Sequence, residues 1–276
     1  MDNLKPPATY QGAKTRISKK IVDIILNDIN NNSFDFYDLC CGSGAITLEL
    51  YNQTGESHNM TMLDWSPWGD FWKSIGEGWF SFEIFRSIIN NIPEDKRDVK
   101  AYLENLSKEA PDIFHIYKFL LLQAGSFGGK AIWIDNGKWQ NCSFRNYWQP
   151  TPTSNRRSPV NPMMPMPEEI YKRVFDISAN LSFVINGKCQ KIETFDKIKK
   201  DSIVYIDPPY SNSTAYGSDF DLIHEIRRIQ NYYPKKIYVS YGKQISKNAI
   251  FISEKRSKGN ISGNNSAGVQ EWLNII

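Results

Sequence analysis

Apolar residues recur along this chain with two different periods. Ile17, Ile21, Ile24 and Ile25 fall at i, i+4, i+7 and i+8, which places them on one face of a helix. Ile84, Phe85, Ile88 and Ile89 make a second such face, and Ile113, Ile116, Tyr117, Leu120 and Leu121 a third. Residues 70–125 therefore read as mostly helical. A further helix runs from Glu168 to Leu181, with Glu168 and Glu169 suiting the positive end of its dipole. Leu222, Ile223, Ile226 and Ile229 mark another. Short runs rich in β-branched and aromatic residues lie between, at 34–39, 60–64, 182–185, 190–192, 202–206, 236–240 and 269–276. Strands interleaved with helices predict an α/β chain.

The pattern changes near residue 125. Asn136-Gly137 sits between the apolar run ending at Ile134 and the aromatic Trp139, a strong hairpin signal. Arg145, Tyr147, Trp148 and Gln149 follow, then Arg156 and Arg157 amid proline, serine and asparagine. Aromatics stack on bases, amides read base edges and arginines hold phosphate. Lys130, Trp133, Asn136, Arg145, Arg156 and Arg157 are the candidate nucleic-acid contacts. A proline-rich surface loop carrying arginines for solubility has the same composition. Pro159, Pro162, Pro165 and Pro167 close the segment. The chain divides on this reading into residues 1–100, a helical and hairpin insert at 101–165, and residues 166–276.

Two strand ends carry candidate chemistry. The run 202–206 stops at Asp207, Pro208, Pro209 and Tyr210. Proline resists continuing a strand, so the acid falls at a strand's carboxyl end, where open α/β sheets keep their ligand crevice. Asp207 and the Pro208 carbonyl make a fixed pair of acceptors, with the ring of Tyr210 beside them. Such a pair suits an amino group on a planar heterocycle. Gripping both N–H bonds of an adenine amine localises its lone pair and offsets the charge that grows as a methyl group arrives. The run 34–39 stops at Cys40, Cys41, Gly42, Ser43 and Gly44, and a helix pattern follows. Strand, Gly-x-Gly loop and helix is a nucleotide-cradling order, although Thr47 replaces the third glycine of the full dinucleotide motif. Asp64, at the tip of the 60–64 strand, is placed to hold ribose hydroxyls, and Trp65 to flank a base. Gly12 and Lys14 precede the first helix in another loop suited to a small ligand. His115 lies inside a helical pattern and reads as a packing residue.

With 276 residues, the chain suffices for one domain with a sizeable insertion. A net charge of +3 permits a nucleic-acid partner without demanding one. Cys40, Cys41, Cys142 and Cys189 have no zinc-site spacing, so no metal is expected. Their sparseness fits reduced thiols and a cytoplasmic location. Neither a secretory leader nor a membrane-spanning run is expected.

Taken in order, these stretches resemble the DNA adenine-N6 methyltransferases of the Dam-like (D12, DPPY-motif) group. The likeness rests on Tyr10, Gly12 and Lys14, on the acid and glycine loop at residues 38–44, on the segment 119–144, on DPPY at 207–210, and on the terminal run from Val269. It implies a Rossmann-like S-adenosylmethionine-dependent methyltransferase sheet with an inserted target-recognition segment, acting on adenine in double-stranded DNA. Position by position, Asp207 and Pro208 would hold the target amine, Pro209 would stiffen the turn and Tyr210 would stack on the base. Tyr10, Gly12, Lys14, Asp38, Cys40, Gly42, Gly44, Asp64, Trp65 and Asp207 would line the cofactor pocket, and Glu193 or Phe195 would touch its adenine. RNA adenine, a protein amide nitrogen, and a DNA-binding protein without activity remain the alternatives.

Overall fold

A seven-stranded sheet crosses the molecule with its two motif-bearing strands side by side at the centre. The computed structural model describes residues 3–29, 33–95, 97–145, 166–208, 220–255 and 269–276. In chain order the elements are α1 (Ser18–Asp28), β1 (Asp35–Leu39), α2 (Ala45–Thr54), β2 (Asn59–Asp64), α3 (Pro67–Gly76), α4 (Phe82–Asn90), α5 (Val99–Leu106), α6 (His115–Gly125), β3 (Trp133–Asp135), β4 (Lys138–Gln140), α7 (Pro167–Leu181), β5 (Ile185–Cys189), β6 (Ile203–Ile206), α8 (Leu222–Gln230), β7 (Lys236–Tyr241), β8 (Asn248–Lys255) and β9 (Val269–Ile275). The large sheet runs β5-β2-β1-β6-β7-β9-β8. Its first five strands are mutually parallel, while β9 is antiparallel to both β7 and β8. The chain is thus α/β with a mostly parallel sheet, compatible with a Rossmann-like fold.

Side chains alternate across the sheet with period 2. Phe36, Ile203, Tyr205 and Tyr238 enter a large core shared with α1, α3, α6 and α7. Tyr37, Val204, Ile206, Ile237 and Val239 enter a smaller one against α8. From β1 the strand order runs outward through β2 and β5 on one side, and through β6 and β7 on the other. The β1/β6 seam is therefore a topological switch point, and a crevice opens beyond the strand ends there.

The structure departs from the sequence pattern in several places. Neither 182–184 nor 190–192 is strand: one strand, β5, takes their place at Ile185–Cys189, and a 3₁₀ turn, Ile192–Thr194, follows. The helical region expected from residue 70 opens earlier, with α3 at Pro67, where Ser66 is the cap and Pro67 sits in the first turn. The expected division at residue 100 falls inside α5, and α5 and α6 bury Leu103, Ile116, Phe119 and Leu120 in the same core as the sheet. Finally β8 was not anticipated. It is the outermost strand, with an irregularity between Phe251 and Ser253, and the Lys20 ammonium of α1 donates to the Phe251 and Ile252 carbonyls at 3.2 and 2.8 Å.

The expected hairpin is present as β3 and β4. Asn136 and Gly137 both have positive φ, 48° and 69°, the pair of conformations that a two-residue type I′ turn requires. The described helices include none long and apolar enough to cross a membrane. The described residues contain no group of three or more His, Cys, Asp or Glu arranged to hold a metal ion.

Candidate functional site

Backbone bonds extend the sheet past its strand ends and lock the tips together. The Asp207 amide donates to the Leu39 carbonyl at 3.3 Å, and the Cys41 amide to the Leu63 carbonyl at 3.0 Å. The glycine loop is clamped on several sides. Gly42 donates its amide to Asp64 Oδ2 at 2.8 Å and accepts the Trp72 indole N–H at 2.8 Å. A Cβ at Gly42 would fall 2.7 Å from the Tyr10 ring, and one at Gly44 would fall 2.4 Å from the Trp72 ring. Gly42 borders the crevice and Gly44 does not. This corrects the expectation for Gly44, whose missing side chain makes room for Trp72 rather than for a ligand.

Three of the predicted acids converge here. Asp38 is fully buried, accepts the Thr47 hydroxyl at 2.7 Å, and is pushed up to about 7, mainly by burial, with the charge of Asp207 adding to it. Asp64 is also raised by burial. Its carboxylate takes the Gly42 amide and both the amide and hydroxyl of Ser66, at 2.9 and 2.6 Å. Three of about four lone-pair positions on that carboxylate are thereby used. Asp64 works chiefly as a brace for the loop, with room for about one further donor from the crevice.

Lys14 is buried and joins the two ends of the chain. Its ammonium lies 2.5 Å from Asp207 Oδ1, 3.1 Å from the Gly12 carbonyl, and 3.8 Å from Glu271 Oε1 on β9. Glu271 was not singled out in the sequence. The available signal was an acid at an inward-facing position of a terminal apolar strand, between Gln270 and Trp272.

The far wall is the turn after β5. Ile192 and Glu193 border the crevice, as do Cys40 and Trp65. Phe195 does not: it is buried against Tyr37 in the smaller core, so of the two residues expected to touch an adenine ring only Glu193 faces the opening. Arg228 of α8 fixes this turn by donating to the Ile192 and Phe195 carbonyls at 2.6 and 2.8 Å, and buried Glu225 holds Arg228 in place.

The hairpin supplies the remaining wall. In register, Trp133 pairs with Gln140 and Asp135 with Lys138, so these four share a face. Trp133, Asp135 and Gln140 border the crevice, while Trp139 on the opposite face packs into the core. Buried Gln123 ties the hairpin base to the N-terminal segment, donating to the Thr9 and Lys130 carbonyls and accepting the Ile132 amide. The Gln11 amide reinforces the link by donating to the Gly129 carbonyl at 2.6 Å. Lys130 and Asn136 are exposed and lie off the crevice. Arg145 is turned inward: its Nε donates to the Ser126 carbonyl at 2.9 Å, and burial pulls its guanidinium down to about 10. It braces a loop rather than extending toward a phosphate. Pro209, Tyr210, Arg156 and Arg157 lie outside the described residues.

Together these walls enclose a cavity of about 520 Å³ that reaches from Trp65 to Asp207 and Pro208. That is the size of an ordinary small-molecule site. Its border carries Asp38, Asp64, Asp135, Glu193, Asp207 and Glu271 against Lys14 and Lys191, so it favours a ligand bearing positive charge. No protein-family model matches the chain, and no curated protein matches it.

Proposed function

We propose that the protein is a site-specific DNA methyltransferase that moves a methyl group from S-adenosylmethionine to the N6 amine of adenine. One observation carries the reading: a glycine loop and an amine-accepting acid open on one cavity, at the switch point of a mostly parallel sheet.

The residues at the cavity fit the cofactor. Asp38, buried and raised to about 7, gains from an ammonium group brought beside it. Trp65 and Ile192 offer apolar surface for a base, and Asp64 has room for one hydroxyl donor. When bound, S-adenosylmethionine supplies an electrophilic methyl group. Asp207 and the Pro208 carbonyl take the N–H bonds of the target amine, which sharpens its lone pair and stabilises the developing charge. The target adenine is drawn out of the duplex, because its amine is otherwise held in pairing. The hairpin face of Trp133, Asp135, Lys138 and Gln140 meets the nucleic acid beside the opening, where an amide pairs with adenine edges and an acid accepts from exocyclic amines.

Duplex DNA of mixed sequence incubated with methyl-labelled cofactor tests the reading. Label should appear in adenine and disappear with Asp207→Ala. Label confined to RNA or protein under the same conditions would replace the substrate, and no transfer to any of them would overturn the activity.

A further inference from the structure

The geometry points to Glu271 as a positioning residue of this site, one that receives the Lys14 ammonium when Asp207 turns to a target amine. The inference rests on the reading of Asp207 as the amine acceptor. Lys14 holds Asp207 Oδ1 at 2.5 Å and so takes up acceptor capacity that an incoming amine needs. It is only 4% exposed, so solvent cannot readily take the charge over. A buried ammonium that loses its partner is strongly disfavoured unless another anion replaces it. Glu271 stands on the other side, its Oε1 3.8 Å from the ammonium, with its side chain 10% exposed. It is held there by β9, whose neighbours β7 and β8 fix the strand on both sides. The Gly12 carbonyl, 3.1 Å away, anchors Lys14 without belonging to either carboxylate. A displacement of little more than an ångström would therefore change Lys14's anion while keeping its backbone acceptor.

The arrangement has a plain function. Asp207 is kept paired and in place until the amine arrives, the Lys14 charge passes to Glu271, and the positive charge that develops on the amine during transfer is then met by the Asp207 carboxylate. Without the second carboxylate, Lys14 keeps its hold on Asp207 Oδ1 and competes with the substrate.

Two measurements test this. The first is the crystal structure of the Asp207→Asn protein, whose neutral side chain weakens the original pair. Lys14 should be found within about 3 Å of Glu271. Lys14 still on residue 207, or turned to solvent, overturns the inference whether or not the protein methylates DNA. The second is steady-state kinetics of Glu271→Gln with labelled S-adenosylmethionine and duplex DNA. The expected result is a loss of about tenfold in kcat/KM for DNA with cofactor affinity unchanged. Wild-type kinetics, or cofactor affinity and melting temperature falling in step with activity, overturn it. Unaltered protein that transfers no label at all refutes the methyltransferase reading instead, and the crystal structure then still decides where Lys14 moves.

Discussion

Lys14 and Asp207 stand 193 positions apart in the chain and meet at 2.5 Å in the crevice. The contact ties the N-terminal loop to the tip of the central strand β6. It also makes the loop's position depend on a carboxylate that the proposed chemistry uses.

Replacing Lys14 by methionine removes the buried cation that Asp207 and Glu271 share. Breaking a buried pair from one side costs about 3–5 kcal/mol. Urea unfolding of Lys14→Met should show a loss of that order. A loss below about 1 kcal/mol, the range of exposed pairs, would mean the pair is solvated.

Gly44 and Gly12 should respond differently to alanine. Both have positive φ, 76° and 94°, so each variant carries backbone strain. Only at Gly44 does the new Cβ also meet packed side chains, the Trp72 ring at 2.4 Å and the Met62 methyl group at 2.8 Å. At Gly12 nothing lies within 4 Å. Gly44→Ala should therefore destabilise by well over about 1 kcal/mol, and Gly12→Ala by less. Equal shifts in unfolding midpoint would count against the clamp described for the loop.

Asp38 makes stability depend on pH in the direction opposite to a salt-bridged acid. Its folded value of about 7 lies above the ordinary 3.8, so between these limits the folded state holds a proton that the unfolded chain has released. Its contribution to stability is present in acid and is lost as pH rises toward 7. Asp38→Asn should flatten that part of the profile when unfolding is followed across this range. Affinity for a ligand ammonium should rise over the same interval, because only the ionised carboxylate attracts it. Calorimetry with S-adenosylmethionine at pH 6 and pH 8 would read the difference.

Trp133→Ala removes a ring from the cavity border on a hairpin whose fold rests on Trp139 and Ile134 instead. Stacking on an aromatic is worth about 1–3 kcal/mol per base, so DNA affinity should fall between roughly fivefold and a hundredfold. Lys130→Ala, out on the exposed side, should mainly lower the salt dependence of binding. Fluorescence anisotropy at two salt concentrations separates the two.

The central strands were legible because they announce themselves twice. Residues 203–206 are apolar, β-branched or aromatic and are cut short by prolines, while in 35–39 Phe36, Tyr37 and Leu39 lead into a glycine loop. The Asn-Gly turn was legible for an equally local reason, its need for two positive φ angles. What stayed hidden was long-range. Glu271 matters because β9 folds back between β7 and β8, and nothing near it in sequence says so. Phe195 and Glu193 are close in sequence, yet across a 3₁₀ turn residues two positions apart point different ways. Gly44 sits in a motif whose usual meaning is ligand approach, and the ring that fills its space comes from Trp72 on another helix. The strand β8 is hard to read because its apolar run, Ala249 to Ile252, is short and lies between polar residues.

That outer strand has a further consequence. A sheet ending in an open row of carbonyls and amides invites a second molecule to add its own strand. Here a lysine charge sits on two adjacent carbonyls, and the ladder is broken at the same point. An incoming chain would have to expel the ammonium and match an uneven spacing. That margin of the sheet is thus defended against edge-to-edge growth, and the protein can present exposed Ile250 and Phe251 there without templating its own aggregation.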